Sequence, residues 1–194
     1  QLELAHVGAG TAAQAAPGGG GIFSTLGVQV FNASQMGLPV GNLTMSPLAG
    51  DGKRQNLVRA VVEGLAFALK ANVEQMASLA PMPTELHIAG GMSRSVAWCQ
   101  IVSNVLNLPV AVSETPESSA LGAAICAGVG AGAFRDVAEG ATRLARLRRC
   151  APDEISVQTY TDLCGDWQKL CQARAEFDDL AADLVLEQMA NQSE

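Results

Sequence analysis

Aromatic residues are scarce in this chain: of 194 residues, five are Phe, two Trp and one Tyr. Ala, Gly and aliphatic side chains must fill the core instead, which favours thin layers and closely packed helices over an aromatic-rich sandwich. Positive charge is also short, with 12 Lys and Arg against 19 Asp and Glu, a net charge of −7. Nucleic acid and anionic membranes demand a basic surface, so neither is expected as a partner; an anion site made of backbone N–H groups stays open. No apolar run reaches the ~18 residues of a membrane span, and no signal peptide opens the chain. It begins with Gln1 rather than Met, which reads as a fragment or a processed chain. The five cysteines, Cys99, Cys126, Cys150, Cys164 and Cys171, are scattered without a CxxC pair. That excludes zinc and thioredoxin-type spacings and reads as unpaired thiols in a reducing cytoplasm.

Hydrophobic residues make up 48% of the chain, enough to build a core and too many for general disorder. Residues 1–50 are weakly patterned: "PGGGG" at 17–21 is a break, "IFSTLGVQVF" at 22–31 suits one or two short strands, and "NASQMGLPVGN" is loop-like. From Gln55 the pattern changes, with Leu57, Val61, Leu65, Leu69, Val73 and Met76 recurring at helical steps along about six turns. "ELHIA" then reads as a buried strand and residues 94–106 as a helix burying Val96, Ile101, Val105 and Leu106. "PVAVS" (109–113) is a further strand with Pro109 at its edge. Glu117-Ser118-Ser119 suits a helix start, followed by a small-residue helix. Residues 135–150, ending in "RLARLRR", are expected to be helical, and residues 161–189 form one or two closing helices. The alternation of helix and strand predicts an α/β layered sheet with flanking helices.

Gly90-Gly91 stands at the mouth of the "LHIA" strand, where glycine serves either a plain turn or the close approach of a flat ligand to the backbone. Neither GxxxxGK[ST] nor GxGxxG fits there. "GVGAG" at 128–132 lies at a helix end and reads as a C-terminal stop. His6 is isolated in an ill-defined segment, and His87, inside a strand, reads as a structural histidine. Glu63-Gly64 interrupts a strong helix, and Gly122 does the same further on; close helix contact and a position facing a ligand cleft both account for them. Arg143, Arg146, Arg148 and Arg149 read as a solvated helix face, with anion binding as the alternative.

Three of these stretches, "RAVVEGLAFALKANVEQM", "LHIAGGMSRSVAWCQIVSNVLNLPV" and "ESSALGAAICAGVGAGAF", together resemble the C-terminal domain of FGGY-family carbohydrate kinases. These are the xylulose, glycerol and gluconate kinase relatives, of the ribonuclease H-like, actin-like ATPase superfamily. "VQTYTDLCGDWQKL" is similar to the family's tail helix. The resemblance implies a partial N-terminal segment of the domain over 1–50, the core of a nucleotide-binding domain over 51–150 and a helical tail over 151–194. It implies that Gly90, Gly91 and Met92 lie against the adenosine of ATP or ADP and that the Ser95 side chain reaches the adenine. Glu117, Ala120 and Gly122 become hinge or packing residues. Mg²⁺ accompanies ATP, the sugar is reached through a second domain, and a homodimer is the protein assembly considered.

The family's GTSG-like phosphate loop and the motif of its catalytic aspartate are missing, and "IFSTLGVQVFN" stands where relatives carry a Gly-Glu-Arg segment. No catalytic residue and no metal ligand is therefore assigned. The expectation is the nucleotide-binding part of an ATP-dependent carbohydrate kinase acting on a pentulose such as xylulose, inactive by itself. The alternative is a non-catalytic regulatory or assembly module that keeps the fold, slightly favoured by the loss of Gly-Glu-Arg. A plain α/β domain without ligand is the third reading.

Overall fold

The computed structural model describes residues 10–25, 53–77, 79–115 and 117–191. His6, residues 26–31 of the first expected strand pair and the "NASQMGLPVGN" loop lie outside the described residues. Helix α1, Arg54–Ala77, matches the expected periodic segment, but its buried line is rotated. Ala60, Val62, Ala66, Phe67, Ala68 and Val73 are buried together with Arg59 and Glu63, whereas Leu65 and Leu69 are only half-buried and Met76 is 67% exposed. A polar pair thus occupies the inner face that an apolar stripe alone would not identify.

Strands β1 (Leu86–Ile88) and β2 (Val110–Ser113) pair in parallel, Leu86 opposite Val110. Parallel neighbours need a crossover, and helix α2, Val96–Leu106, supplies it. Ile101, Val105 and Leu106 are buried as expected, with Trp98, Cys99 and Val102, while Val96 is 63% exposed at the helix start. Helices α3 (Ser118–Gly130) and α4 (Val137–Leu144) then form a hairpin. Gly132, at φ 75°, ends α3 in the left-handed region. The Ala133 N–H donates to the Gly128 carbonyl at 2.8 Å and the Gly132 N–H to Val129 at 3.1 Å. This double bond pattern closes a helix where glycine follows it.

The expected helix over 135–150 is corrected: it ends at Leu144, and Leu147–Cys150 is a strand, β3. Ala145 is extended (φ −70°, ψ 134°), and β3 pairs antiparallel with β2, Val110 opposite Cys150 and Ser113 opposite Leu147. The sheet order is β1-β2-β3, so β2 is central and buried while the arginines of β3 suit an outer strand. His87 is likewise not buried: its side chain is 62% exposed on β1, which pairs with β2 alone among the described residues, and bonds Glu85 at 3.1 Å.

Helix α5, Glu154–Asn191, is one continuous helix of 38 residues. The Asp153 carboxylate caps it, accepting from the Ser156 N–H at 2.9 Å. Its first turns pack on α2 and α1 and bury Tyr160, Cys164 and Trp167. The few aromatics meet here, Phe67 of α1 lying 6.1 Å from the Tyr160 ring and 5.7 Å from Trp167 between centroids. The Trp167 indole N–H donates to the Ser24 carbonyl at 2.9 Å, drawing the 10–25 segment onto the same core.

A buried ionic knot ties these pieces together. Arg59 Nε bonds Glu63 Oε1 at 2.7 Å, and Arg59 Nη1 donates to the carbonyls of Ala12 and Ala15. Arg59 Nη2 meets the Tyr160 hydroxyl, which donates to Glu63 at 2.9 Å. The Gly18 N–H donates to both Glu63 oxygens at 3.2 Å. Burial works against the Arg59 charge, and the bonds to Glu63 and Tyr160 outweigh it, holding the guanidinium pKa above its ordinary value. Burial, with Glu63 alongside, pushes the Tyr160 hydroxyl pKa up as well. No buried side-chain polar atom lacks a partner among the described residues.

Candidate functional site

Strand β1 ends at Ile88, and the chain turns at Gly90 with φ 94° and ψ −171°. A side chain pays on the order of 1–3 kcal/mol to sit in that region, so the turn itself demands glycine. No atom lies within 4 Å of where a Cβ on Gly90 would stand. The restriction is therefore conformational, and the space above the residue is open.

The chain continues as a 3-10 turn, Gly91–Arg94, locked from beneath. The Ser93 N–H and hydroxyl both donate to the Gly90 carbonyl, at 3.1 and 2.7 Å. The Cys99 thiol donates to the Ser93 carbonyl at 3.2 Å. Burial pushes the Cys99 pKa up, so it stays a protonated structural thiol. Ser95 accepts from the Trp98 N–H at 3.3 Å and caps α2.

Gly90, Gly91 and Met92 therefore share one exposed surface, Met92 being 41% exposed, on a turn held by α2. Ser95 is buried behind them, its oxygen engaged by the cap and its O–H available to a further acceptor by the ordinary valence of a hydroxyl. Arg94 reaches across to Glu117 at 3.1 Å, linking the turn to the start of α3. That pair is exposed and stabilises little.

Within α3, Ile125 alone is buried among the described residues. A Cβ on Gly122 would meet nothing within 4 Å, so no close contact is found there among the described residues. The tight contacts of the hairpin fall elsewhere: a Cβ on Gly128 would stand 2.5 Å from the Phe134 ring and one on Gly140 2.7 Å from Ile125. Ala120 and Glu117 are exposed.

Sequence reasoning named Arg148 but placed it on a helix, with anion binding only as the alternative. Read as part of a solvated helix face, it sits on β3 beside a cleft of about 290 Å³ lined by Ser93, Arg94, Val112, Ser113, Glu114 and Arg148. Recognising β3 as a strand paired with β2 was the missing step, because the pairing sets Arg148 opposite Val112. Among the described residues, no group of three or more His, Cys, Asp or Glu side chains stands together to hold a metal ion. All five cysteines are free thiols, and no described helix is long and apolar enough to cross a membrane.

Residues 19–131 match the FGGY family of carbohydrate kinases, C-terminal domain. The autoinducer-2 kinase of Escherichia coli K12 is 38% identical over 133 residues, 68% of this chain and 25% of that protein. The autoinducer-2 kinase of Klebsiella pneumoniae is 36% identical over 117 residues, 59% of this chain and 22% of that one. The chain spans about a quarter of the length of these curated relatives. Among solved structures, xylulose kinase from Rhodospirillum rubrum is 26% identical with a TM-score of 0.73, covering 90% of this chain and 35% of that one. Plasmodium falciparum glycerol kinase with ADP shares the fold, at 20% identity and a TM-score of 0.66 over 86% of this chain and 33% of that one.

Proposed function

The chain belongs to the FGGY family of carbohydrate kinases, with the actin-like ATPase fold of its solved relatives, and from that premise we propose that it holds the adenosine of ATP and ADP on Gly90, Gly91 and Met92. The observation that carries the reading is Gly90, a glycine-only conformation at the end of a parallel strand with open space above it. A flat base and ribose need backbone they can approach closely, and a turn without side chains offers it. The Ser95 O–H is the group assigned to the adenine, reached as the nucleotide settles over the turn.

The reaction proposed for the whole protein moves the ATP γ-phosphoryl group to a sugar hydroxyl. The acceptor is a pentulose such as xylulose or, from the relatives of higher identity, a compound of the autoinducer-2 kind. No residue of this chain is assigned as base or nucleophile, and Mg²⁺ is taken to arrive with the nucleotide. The net charge of −7 and the five free thiols support a cytoplasmic protein whose ligands are small molecules.

Calorimetric titration of the chain with ATP and with ADP, each with Mg²⁺, tests the site beside Gly90→Val and Gly91→Val. Saturable binding by the parent that Gly90→Val abolishes, with circular dichroism unchanged, is the expected result. Equal binding by parent and Gly90→Val would remove the turn from the site.

A further inference from the structure

We propose that the cleft between the Gly91–Arg94 turn and β3 is a second binding site, for a phosphoryl group carrying a P–OH. The cleft lies at the carboxyl end of β2, the end of a parallel pair where open α/β sheets take their ligands. Two guanidinium groups, Arg94 and Arg148, line one concavity of about 290 Å³. Like charges around a shared hollow repel unless an anion stands between them.

Arg148 carries the inference. It is half-buried, and its bonds run to sulfur: Nη1 to Cys150 Sγ at 3.2 Å and Nη2 to Cys99 Sγ at 3.9 Å. Thiols are weak acceptors, whereas partly desolvated charges are ordinarily met by oxygen. Its neighbours show the contrast. Arg149 bonds Glu85 at 2.7 Å, Arg143 bonds Glu139 at 2.7 Å, Arg135 bonds Asp136 at 2.9 Å, and Arg146 bonds two carbonyls. Among the described residues, Arg94 holds the exposed pair with Glu117.

The rest of the lining selects among anions. The Ser93 hydroxyl donates to the Gly90 carbonyl and the Ser113 hydroxyl to Thr115 at 3.2 Å, so both oxygens have lone pairs left to offer. Glu114, an exposed acidic residue, lines the same cleft. An anion with oxygens alone would meet the arginines and be opposed by Glu114. Hydrogen phosphate, or a phosphate monoester in its protonated form, answers both, with unprotonated oxygens for the guanidinium groups and a P–OH for the acceptors.

The test is an amide NMR titration of the chain at constant ionic strength with inorganic phosphate, sulfate, adenosine and ADP, in parent and Arg148→Gln. Saturable shifts at Ser113 and Glu114 with phosphate, at a Kd on the order of millimolar, are expected. Arg148→Gln should weaken them about tenfold, and sulfate, which lacks the O–H, should bind less well than phosphate. No saturable shift, or an equal Kd in Arg148→Gln, overturns the site; if that variant fails to fold, Arg94→Gln is read in its place by the same criterion. ADP tighter than adenosine by a factor that Arg148→Gln removes would make the nucleotide itself the source of the phosphoryl group. Equal affinities would make it a free phosphate or a small ester. Phosphate binding with no adenosine binding keeps this cleft and sinks the adenosine reading alone.

Discussion

Glu63 shows at the scale of a residue how much a single side chain can organise. It is 2% exposed and accepts from Arg59, from the Tyr160 hydroxyl and from the Gly18 N–H, so α1, α5 and the 10–25 segment all end on one carboxylate. Replacing such a pair with apolar side chains can be neutral, but removing one partner strands a buried charge. Glu63→Gln keeps the shape and leaves the Arg59 guanidinium without its counter-charge. The expected loss is about 3–5 kcal/mol in urea denaturation. Tyr160→Phe removes one hydroxyl from a network that keeps its ion pair, and should cost closer to 1 kcal/mol. Equal losses in the two variants would show that the ion pair contributes nothing beyond a hydrogen bond. The sequence flagged Glu63-Gly64 as a disturbance in a good helix, and the partners of Glu63 lie 45 and 97 residues away. Helical periodicity registers which side is apolar; it is blind to a carboxylate whose partners come from other elements. Gly90 was legible for the opposite reason, since its constraint is local: a strand end, a turn and a φ that only glycine takes readily.

At the scale of elements, caps and pairings set the boundaries. The α1 segment, the β1–α2–β2 unit and the stop after α3 followed from periodicity, length and glycine placement, and each is present. The stretch "RLARLRR" did not follow, because its helical-looking spacing is overridden by pairing with β2, and four residues joined by long-range bonds carry little local signal. Two carboxylate caps are measurable, Asp153 on α5 and Asp136 on α4, the latter accepting from the Glu139 N–H at 2.8 Å. Bonds from the Ser156 side chain and then its N–H hold the Asp153 carboxyl below its ordinary 3.8, and the Glu139 N–H, then Arg135, does the same for Asp136. A depressed folded pKa means stability that is complete above the unfolded value and is lost as pH falls through the folded one. The thermal midpoint should therefore fall below about pH 4. Asp153→Asn caps without titrating, so its midpoint should fall less steeply between pH 6 and pH 3. Superimposable acid profiles would mean that the Asp153 cap does not couple to global unfolding.

At the scale of the whole molecule, what these residues hold and what phosphoryl transfer requires diverge. Transfer needs a base on the acceptor hydroxyl, a metal ion on the phosphates and positive groups around the transferring oxygens, all fixed in line. The described residues offer an exposed turn at Gly90, Gly91 and Met92, with open space where a Cβ on Gly90 would stand, and a cleft lined by Arg94 and Arg148. Among them no acidic cluster stands ready to hold a metal ion. Helix α3 makes the same point from packing: apolar along most of its length, it is nonetheless bare to solvent at Ala120, Gly122, Ala123, Ala124, Cys126 and Ala127. A helix apolar on every side is ordinarily covered, and among the described residues only its face toward α4, around Ile125 and Gly128, is. Binding and turnover should therefore separate in this chain. Incubated with ATP, Mg²⁺ and either xylulose or autoinducer-2, the 194 residues should bind nucleotide by calorimetry and release no ADP above the rate without acceptor. Acceptor-dependent ADP formation with stoichiometric sugar phosphate would place a base and a sugar site within these residues, and would return the search for both to the exposed face of α3 and the ends of β1 and β2.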